Sequence, residues 1–92
     1  MTLRHLRFFV ALADDLNFGR ASKALRISQP SLSRQIQRLE RAIGVRLFDR
    51  SRHRIDLTVE GHVFLTHARH LLAVAFEVTA AARRLKHAKF KP

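Results

Sequence analysis

Residues 17–44 read NFGRASKALRISQPSLSRQIQRLERAIG. Asn17 can cap a short helix in which Phe18, Ala21 and Leu25 face inward. Arg26-Ile27-Ser28 is a tight connection, and Ser28 can cap a second helix over 29–43, with Pro30 in the first turn, where no backbone donor is needed. Gly44 suits the C-terminal stop. At about 100° per residue, Leu32, Ile36, Leu39 and Ile43 fall within about 60° of one another and form a core stripe. Pro30, Ser33, Arg34, Gln37, Arg38 and Arg41 fan across the opposite side. That face holds no acid; Glu40 lies at its edge.

The chain on either side completes the layout. Leu3, Leu6, Val10 and Ala13 recur at 3-4-3 spacing behind Thr2, with Phe9 on the flank, which predicts a helix over about 3–14. After Gly44 the period changes to two. Val45 and Leu47, then Ile55 and Leu57, alternate on either side of the polar segment Arg50-Ser51-Arg52-His53-Arg54, a two-stranded hairpin or wing with a basic tip. Thr58 can then cap a long helix over roughly 58–88, with Glu60 in its first turn. Residues 89–92 read as a frayed tail. The expected fold is mainly α: a three-helix, two-strand winged helix-turn-helix over 1–57, then a long helix over 58–88.

Ninety-two residues imply one domain, and eighteen Lys and Arg against seven Asp and Glu give a net charge of +11. Such a balance calls for a polyanionic partner, nucleic acid or an anionic membrane surface. The absence of cysteine excludes a disulfide scaffold and Cys-ligated zinc. No apolar run approaches the roughly 18 residues of a membrane span, and no signal-peptide core follows Arg4 and His5. His67 and His70, with His62 near, form an i,i+3 pair, but no carboxylate lies in the same turns, so no metal, cofactor or catalytic constellation is expected. Residues 20–54 hold ten Lys and Arg against Glu40 and Asp49, a net +8 concentrated on the second helix of the quoted stretch and on the wing tip. In a helix-turn-helix the second helix enters the major groove with its N-terminal residues at base edges. Gln29, Ser33 and Arg34 stand at those positions, and arginine suits guanine while glutamine suits adenine.

In the long helix Phe64, Ala68, Leu71, Ala75, Val78, Ala82 and Leu85 step 4-3-4-3-4-3, a heptad seam sustained for three repeats. Leu65, Leu72 and Phe76 lie beside it. A helix of about 45 Å cannot bury that stripe on so small a body, so a two-fold homodimer is expected. Two other classes share some of these features. A sequence-independent architectural protein also fits the charge, and the ratio of specific to non-specific affinity separates it. A membrane-surface helix fits less well, because Ala68, Ala75 and Ala82 replace the bulky residues such a helix presents to lipid.

The sequence resembles the N-terminal domain of LysR-type transcriptional regulators from Leu3 to about Leu85. The match is carried by Leu6 and Phe9, by Phe18, Ala21 and Leu25, and by Ser28-Gln29-Pro30-Ser31 with Ser33, Ile36, Leu39 and Glu40. Gly44, Leu47, Phe48 and Arg50, then Leu57, Thr58 and Gly61, complete it. The resemblance implies a winged helix-turn-helix, a linker helix that dimerises antiparallel, and binding to interrupted inverted repeats near promoters. By position it puts Gln29, Pro30, Ser31, Ser33 and Arg34 at bases or adjacent backbone. Gln37, Arg38, Arg50, Arg52, His53 and Arg54 fall to phosphate or the minor groove. The implied partners are double-stranded DNA and a second copy, in the cytoplasm on the nucleoid, with no membrane and no small-molecule effector. The departures are Ser22 where a second alanine is usual, Gly19 in place of a common Ser or Thr, His53 at the wing tip, and the lack of anything resembling the family's effector-binding domain.

Overall fold

A computed structural model describes residues 1–87. They form α1 (Leu3–Asp15), α2 (Phe18–Leu25), α3 (Gln29–Ile43), β1 (Phe48–Asp49), β2 (Asp56–Leu57) and α4 (Val59–His87). The expected tail over 89–92, and residue 88 of the expected long helix, lie outside the described residues.

Each helix starts at a capping side chain. Thr2 Oγ1 accepts the His5 N–H at 3.2 Å while His5 Nδ1 accepts the Thr2 N–H at 3.3 Å, a reciprocal capping box. With Nδ1 accepting, the His5 Nε2 carries the proton it donates to Gln35 Oε1 at 3.0 Å, tying α1 to α3. Asn17 Oδ1 accepts the Arg20 N–H, Ser28 Oγ the Ser31 N–H, and Thr58 Oγ1 the Gly61 N–H. The first three helices end in left-handed residues, Leu16, Arg26 and Gly44. Only Gly44 adopts that conformation without a steric cost.

Phe9 is at the centre of the core, fully buried with Leu6, Leu12, Leu32, Ile36, Leu39, Leu47 and Phe48. Its ring stands 5.3 Å from Phe48 of the wing and 5.0 Å, edge-on, from Phe64 of α4. Such aromatic pairs add about 0.5–1.5 kcal/mol each beyond area burial. The inward stripe of α1 differs from the 3-4-3 expectation. Phe8, Phe9 and Leu12 are buried with Leu6 and Ala13, whereas Leu3 is exposed and Val10 half-buried. The reason is that α1 packs against α2, α3 and α4 together, so its apolar arc is wider than one stripe.

The wing is antiparallel, with Phe48 opposite Leu57 and Asp49 opposite Asp56. It is shorter than the alternation from Val45 suggests. One further in-register bond follows, from the Thr58 N–H to the Leu47 carbonyl at 3.0 Å, and the ladder ends there because the Leu47 N–H is taken by Glu40 Oε2 at 2.7 Å.

The fourth helix, 29 residues long, projects from the body. The radius of gyration is 16.2 Å, against about 12 Å for a compact domain of this length. Its first half is spent on its own domain. Ala68 is 3% exposed, and Phe64, Leu65 and Leu72 pack on the core. Of the expected seam, Ala68 is thus buried on the chain's own body and Phe64 is half-buried against it. A strict heptad drifts about 20° per repeat around a straight helix, so a seam that starts on the body at Phe64 has rotated off it by Val78 and Leu85. These two are 65% and 67% exposed.

Candidate nucleic-acid interface

Helix α3 is fixed on one side by Leu32, Ile36 and Leu39, all fully buried. That anchorage turns Gln29, Pro30, Arg34, Gln37, Arg38 and Arg41 to solvent and leaves Ser31 and Ser33 half-buried. Arg34 Nη2 donates to Ser31 Oγ at 3.2 Å, which lays the guanidinium along the first turns of the helix. Among the described residues no carboxylate pairs with Arg34, Arg38 or Arg41; the ion pairs join Arg20 to Asp15, Arg54 to Asp56 and Arg69 to Asp14. The one acid nearby, Glu40, is held by the backbone of the wing. Its Oε2 accepts the N–H groups of Leu47 and Phe48 at 2.7 and 3.2 Å, so it holds the start of the wing against the end of α3. It is this carboxylate that sets how wing and helix sit together.

The wing opens on a turn built by Asp49, whose Oδ1 accepts both the Ser51 N–H at 2.9 Å and the Ser51 hydroxyl at 2.7 Å. Those bonds, hydroxyl first, hold the Asp49 carboxyl below its ordinary range, with the charges of Arg52 and Arg46 adding to them. Arg50 stacks its guanidinium 5.1 Å from the Phe18 ring centroid, fastening the wing base to the start of α2. His53 takes a left-handed φ of 58° at the tip. Arg54 pairs with Asp56 at 3.2 Å, so its charge is partly compensated, whereas Arg50 and Arg52 have no carboxylate partner among the described residues.

Two open concavities connect these elements. One, of about 610 Å³, brings Gln29 of α3 together with Gly19 of α2 and its cap Asn17, and with Arg50, His53 and Arg54 of the wing. The other, of about 490 Å³, joins Gln37 and Arg41 of α3 to Arg46 and Arg50. Arg50 borders both, so Gln29 at the start of α3, Gln37 and Arg41 further along it, and the wing adjoin at one cation; Glu40 also lines the second concavity. Arg34, Arg38 and Arg52 are exposed but line neither concavity. Sequence reasoning left Arg46 and Phe18 out of the site. Phe18 reads as an inward apolar residue, and nothing in its spacing announces that its ring seats an arginine 32 positions later.

No helix among the described residues is long and apolar enough to cross a membrane, and no group of three His, Cys, Asp or Glu side chains among them gathers to hold a metal ion.

The model of the bacterial regulatory helix-turn-helix proteins of the LysR family matches residues 3–62. The chain belongs to the LysR family. Among its curated LysR-type relatives, the uncharacterised transcriptional regulator YnfL of Escherichia coli is 51% identical over 83 residues, 90% of this chain and 28% of YnfL. BenM of Acinetobacter baylyi is 41% identical over 85 residues, 92% of this chain and 28% of BenM. The chain thus spans under a third of the length of these regulators. A crystal structure of the BenM DBD in complex with catB site 1 DNA superposes with a TM-score of 0.92 at 39% identity, covering 98% of this chain and 97% of that one. The CbnR DBD–DNA complex superposes with a TM-score of 0.86 at 41% identity, covering 94% and 99%. The fold is that of a LysR-family DNA-binding domain, a winged helix-turn-helix with a long following helix. Against the family pattern, Ser22 is accommodated without an unpaired group: it is buried, and its hydroxyl donates to the Gly19 carbonyl at 2.9 Å.

Proposed function

We propose that this LysR-family chain reads double-stranded promoter DNA as a two-fold homodimer. Each α3 lies in a major groove with Gln29, Pro30, Ser31, Ser33 and Arg34 at bases or the adjacent backbone, Gln29, Ser33 and Arg34 supplying the discrimination. Gln37, Arg38, Arg50, Arg52, His53 and Arg54 meet phosphate or the minor groove. The observation that carries this reading is the exposed face of α3, on which Arg34, Arg38 and Arg41 have no carboxylate partner among the described residues and which meets the wing cations at Arg50. Phosphate contacts supply salt-dependent affinity, and the α3 side chains supply discrimination.

Residues 1–57 act as the reading head and 58–88 as the dimerising linker. The partner's α4 packs antiparallel on the part of the seam that the body leaves free, Leu71, Ala75, Val78, Ala82 and Leu85, with Val74 and Phe76 alongside. The groove of about 1150 Å³ between the start of α1 and this half of α4, lined by Leu3, Leu72, Ala75, Phe76 and Val78 among others, supports a helical occupant there. Two heads related by the dyad then read an interrupted inverted repeat. The chain works in the cytoplasm as a binding domain rather than an enzyme, with DNA and a second copy as its partners.

Gel-shift affinities of Arg34→Ala and Arg52→Ala on selected and scrambled duplexes test the assignment. Arg34→Ala loses roughly 1–3 kcal/mol on the selected site and little on the scrambled one, whereas Arg52→Ala weakens both about equally. An Arg34→Ala loss of the same size on both duplexes removes Arg34 from base reading.

A further inference from the structure

Gly19 is the second residue of α2, between the capping side chain of Asn17 and the side chain of Gln29. Its backbone does not call for glycine, since positive φ occurs at Leu16, Arg26, Gly44 and His53 and not here. Helix propensity does not call for it either, glycine being the poorest helix residue after proline. What the missing side chain leaves is room. A β-carbon on residue 19 would stand 3.3 Å from Asn17 Oδ1 and 3.9 Å from Gln29 Oε1. The first is tight, so the Asn17 side chain must give by a few tenths of an ångström for any residue with a β-carbon, whereas the second is ordinary van der Waals contact and alanine leaves Gln29 in place. A hydroxyl one bond further out comes within hydrogen-bonding reach of Gln29 Oε1.

The side-chain hydrogen bonds around the start of α3 involve Ser28, Ser31, Arg34 and Gln35, and among the described residues none takes up the exposed Gln29 carboxamide. Glutamine pairs with adenine by offering its oxygen and its amide nitrogen together, to N6 and N7. A carboxamide oxygen drawn back to a hydroxyl on α2 keeps a second lone pair, but the direction of the amide is then set by α2 and not by the adenine edge. We propose that Gly19 is a positioning residue for base reading: by leaving the Gln29 carboxamide untethered, it allows the two-point contact with adenine. This rests on the placement of Gln29 at a base edge.

Selection of bound duplexes from a random pool tests it, using the full chain and the variants Gln29→Ala, Gly19→Ala and Gly19→Ser, with circular-dichroism melting to show that each is folded. The wild type selects adenine at one position of each half-site, and Gln29→Ala loses that preference. Gly19→Ala keeps it. Gly19→Ser weakens it by about fivefold or more at that position alone and leaves the rest of the half-site unchanged. A Gly19→Ser variant that selects the wild-type half-site, with or without a uniform loss of affinity, overturns the proposal while leaving the role of Gln29 intact. Equal weakening in Gly19→Ala overturns the hydrogen-bonding basis. Wild-type selection by Gln29→Ala overturns both the proposal and the reading beneath it.

Discussion

Glu40 stands in the last turn of α3, where the helix dipole disfavours a negative charge. It is kept there by two backbone donors of the wing, those of Leu47 and Phe48, both residues being buried. Glu40→Ala strands those N–H groups and is expected to cost about 1–3 kcal/mol in urea unfolding. Glu40→Gln, which keeps an acceptor, costs less. At Asp49 the folded state favours the ionised carboxyl through Ser51, and at Asp15 it does so chiefly through the Arg20 hydrogen bond. Each contribution is complete above the unfolded carboxylate value, near 3.9, and is lost as the pH falls through the lower folded value. The urea midpoint therefore drops as the solution is acidified from about pH 5 towards pH 2, and it drops less in Asp49→Asn. An equal drop in both proteins removes Asp49 from that pH dependence.

Among the elements, α4 and the wing meet at a contact that depends on Gly61. A β-carbon there would lie 2.1 Å from the Leu47 carbonyl oxygen and 2.9 Å from Leu57 Cδ2. Backbone on one side and a packed leucine on the other cannot both give way. Gly61→Ala is expected to destabilise by roughly 1–3 kcal/mol, the cost of overpacking, read as a lowered urea midpoint. The same region marks where the sequence stops being legible. The caps at Thr2, Asn17, Ser28 and Thr58, the stop at Gly44 and the core stripe of α3 follow from local chemistry, and each is found where it was expected. The stop at Arg26 falls at the expected connection, but neither its left-handed conformation nor that of Leu16 is written in a residue that favours it. The short β1, the Arg50–Phe18 stack and the Glu40 bonds depend on segments brought together only by folding. At the site, the exposed face of α3 was legible as helical periodicity, whereas the part played by Arg46 required the wing to be placed first.

For the whole molecule, the extents of 61 × 25 × 20 Å describe a small head carrying a long lever. The apolar side chains on that lever divide between two duties. Ala68 is buried in its own domain, and Val78, ten residues on, is exposed. Val78→Glu is accordingly expected to shift the chain from dimer to monomer in sedimentation with its melting profile retained. Ala68→Glu forces a charge into the core and is expected to unfold the domain itself. A Val78→Glu chain that sediments as a dimer refutes the seam. A monomeric Val78→Glu chain also loses the coupling of two half-sites, so its affinity for the full inverted repeat falls to that of a half-site.

Dimethyl sulfate protection of guanine N7, an atom exposed in the major groove, tests the central claim on a duplex selected by the wild-type chain. The expected result is two protected patches related by a dyad and spaced by a whole number of helical turns, with protection at the guanine read by Arg34 lost in Arg34→Ala. Uniform reactivity at every major-groove guanine, with the chain bound at saturation, would contradict it.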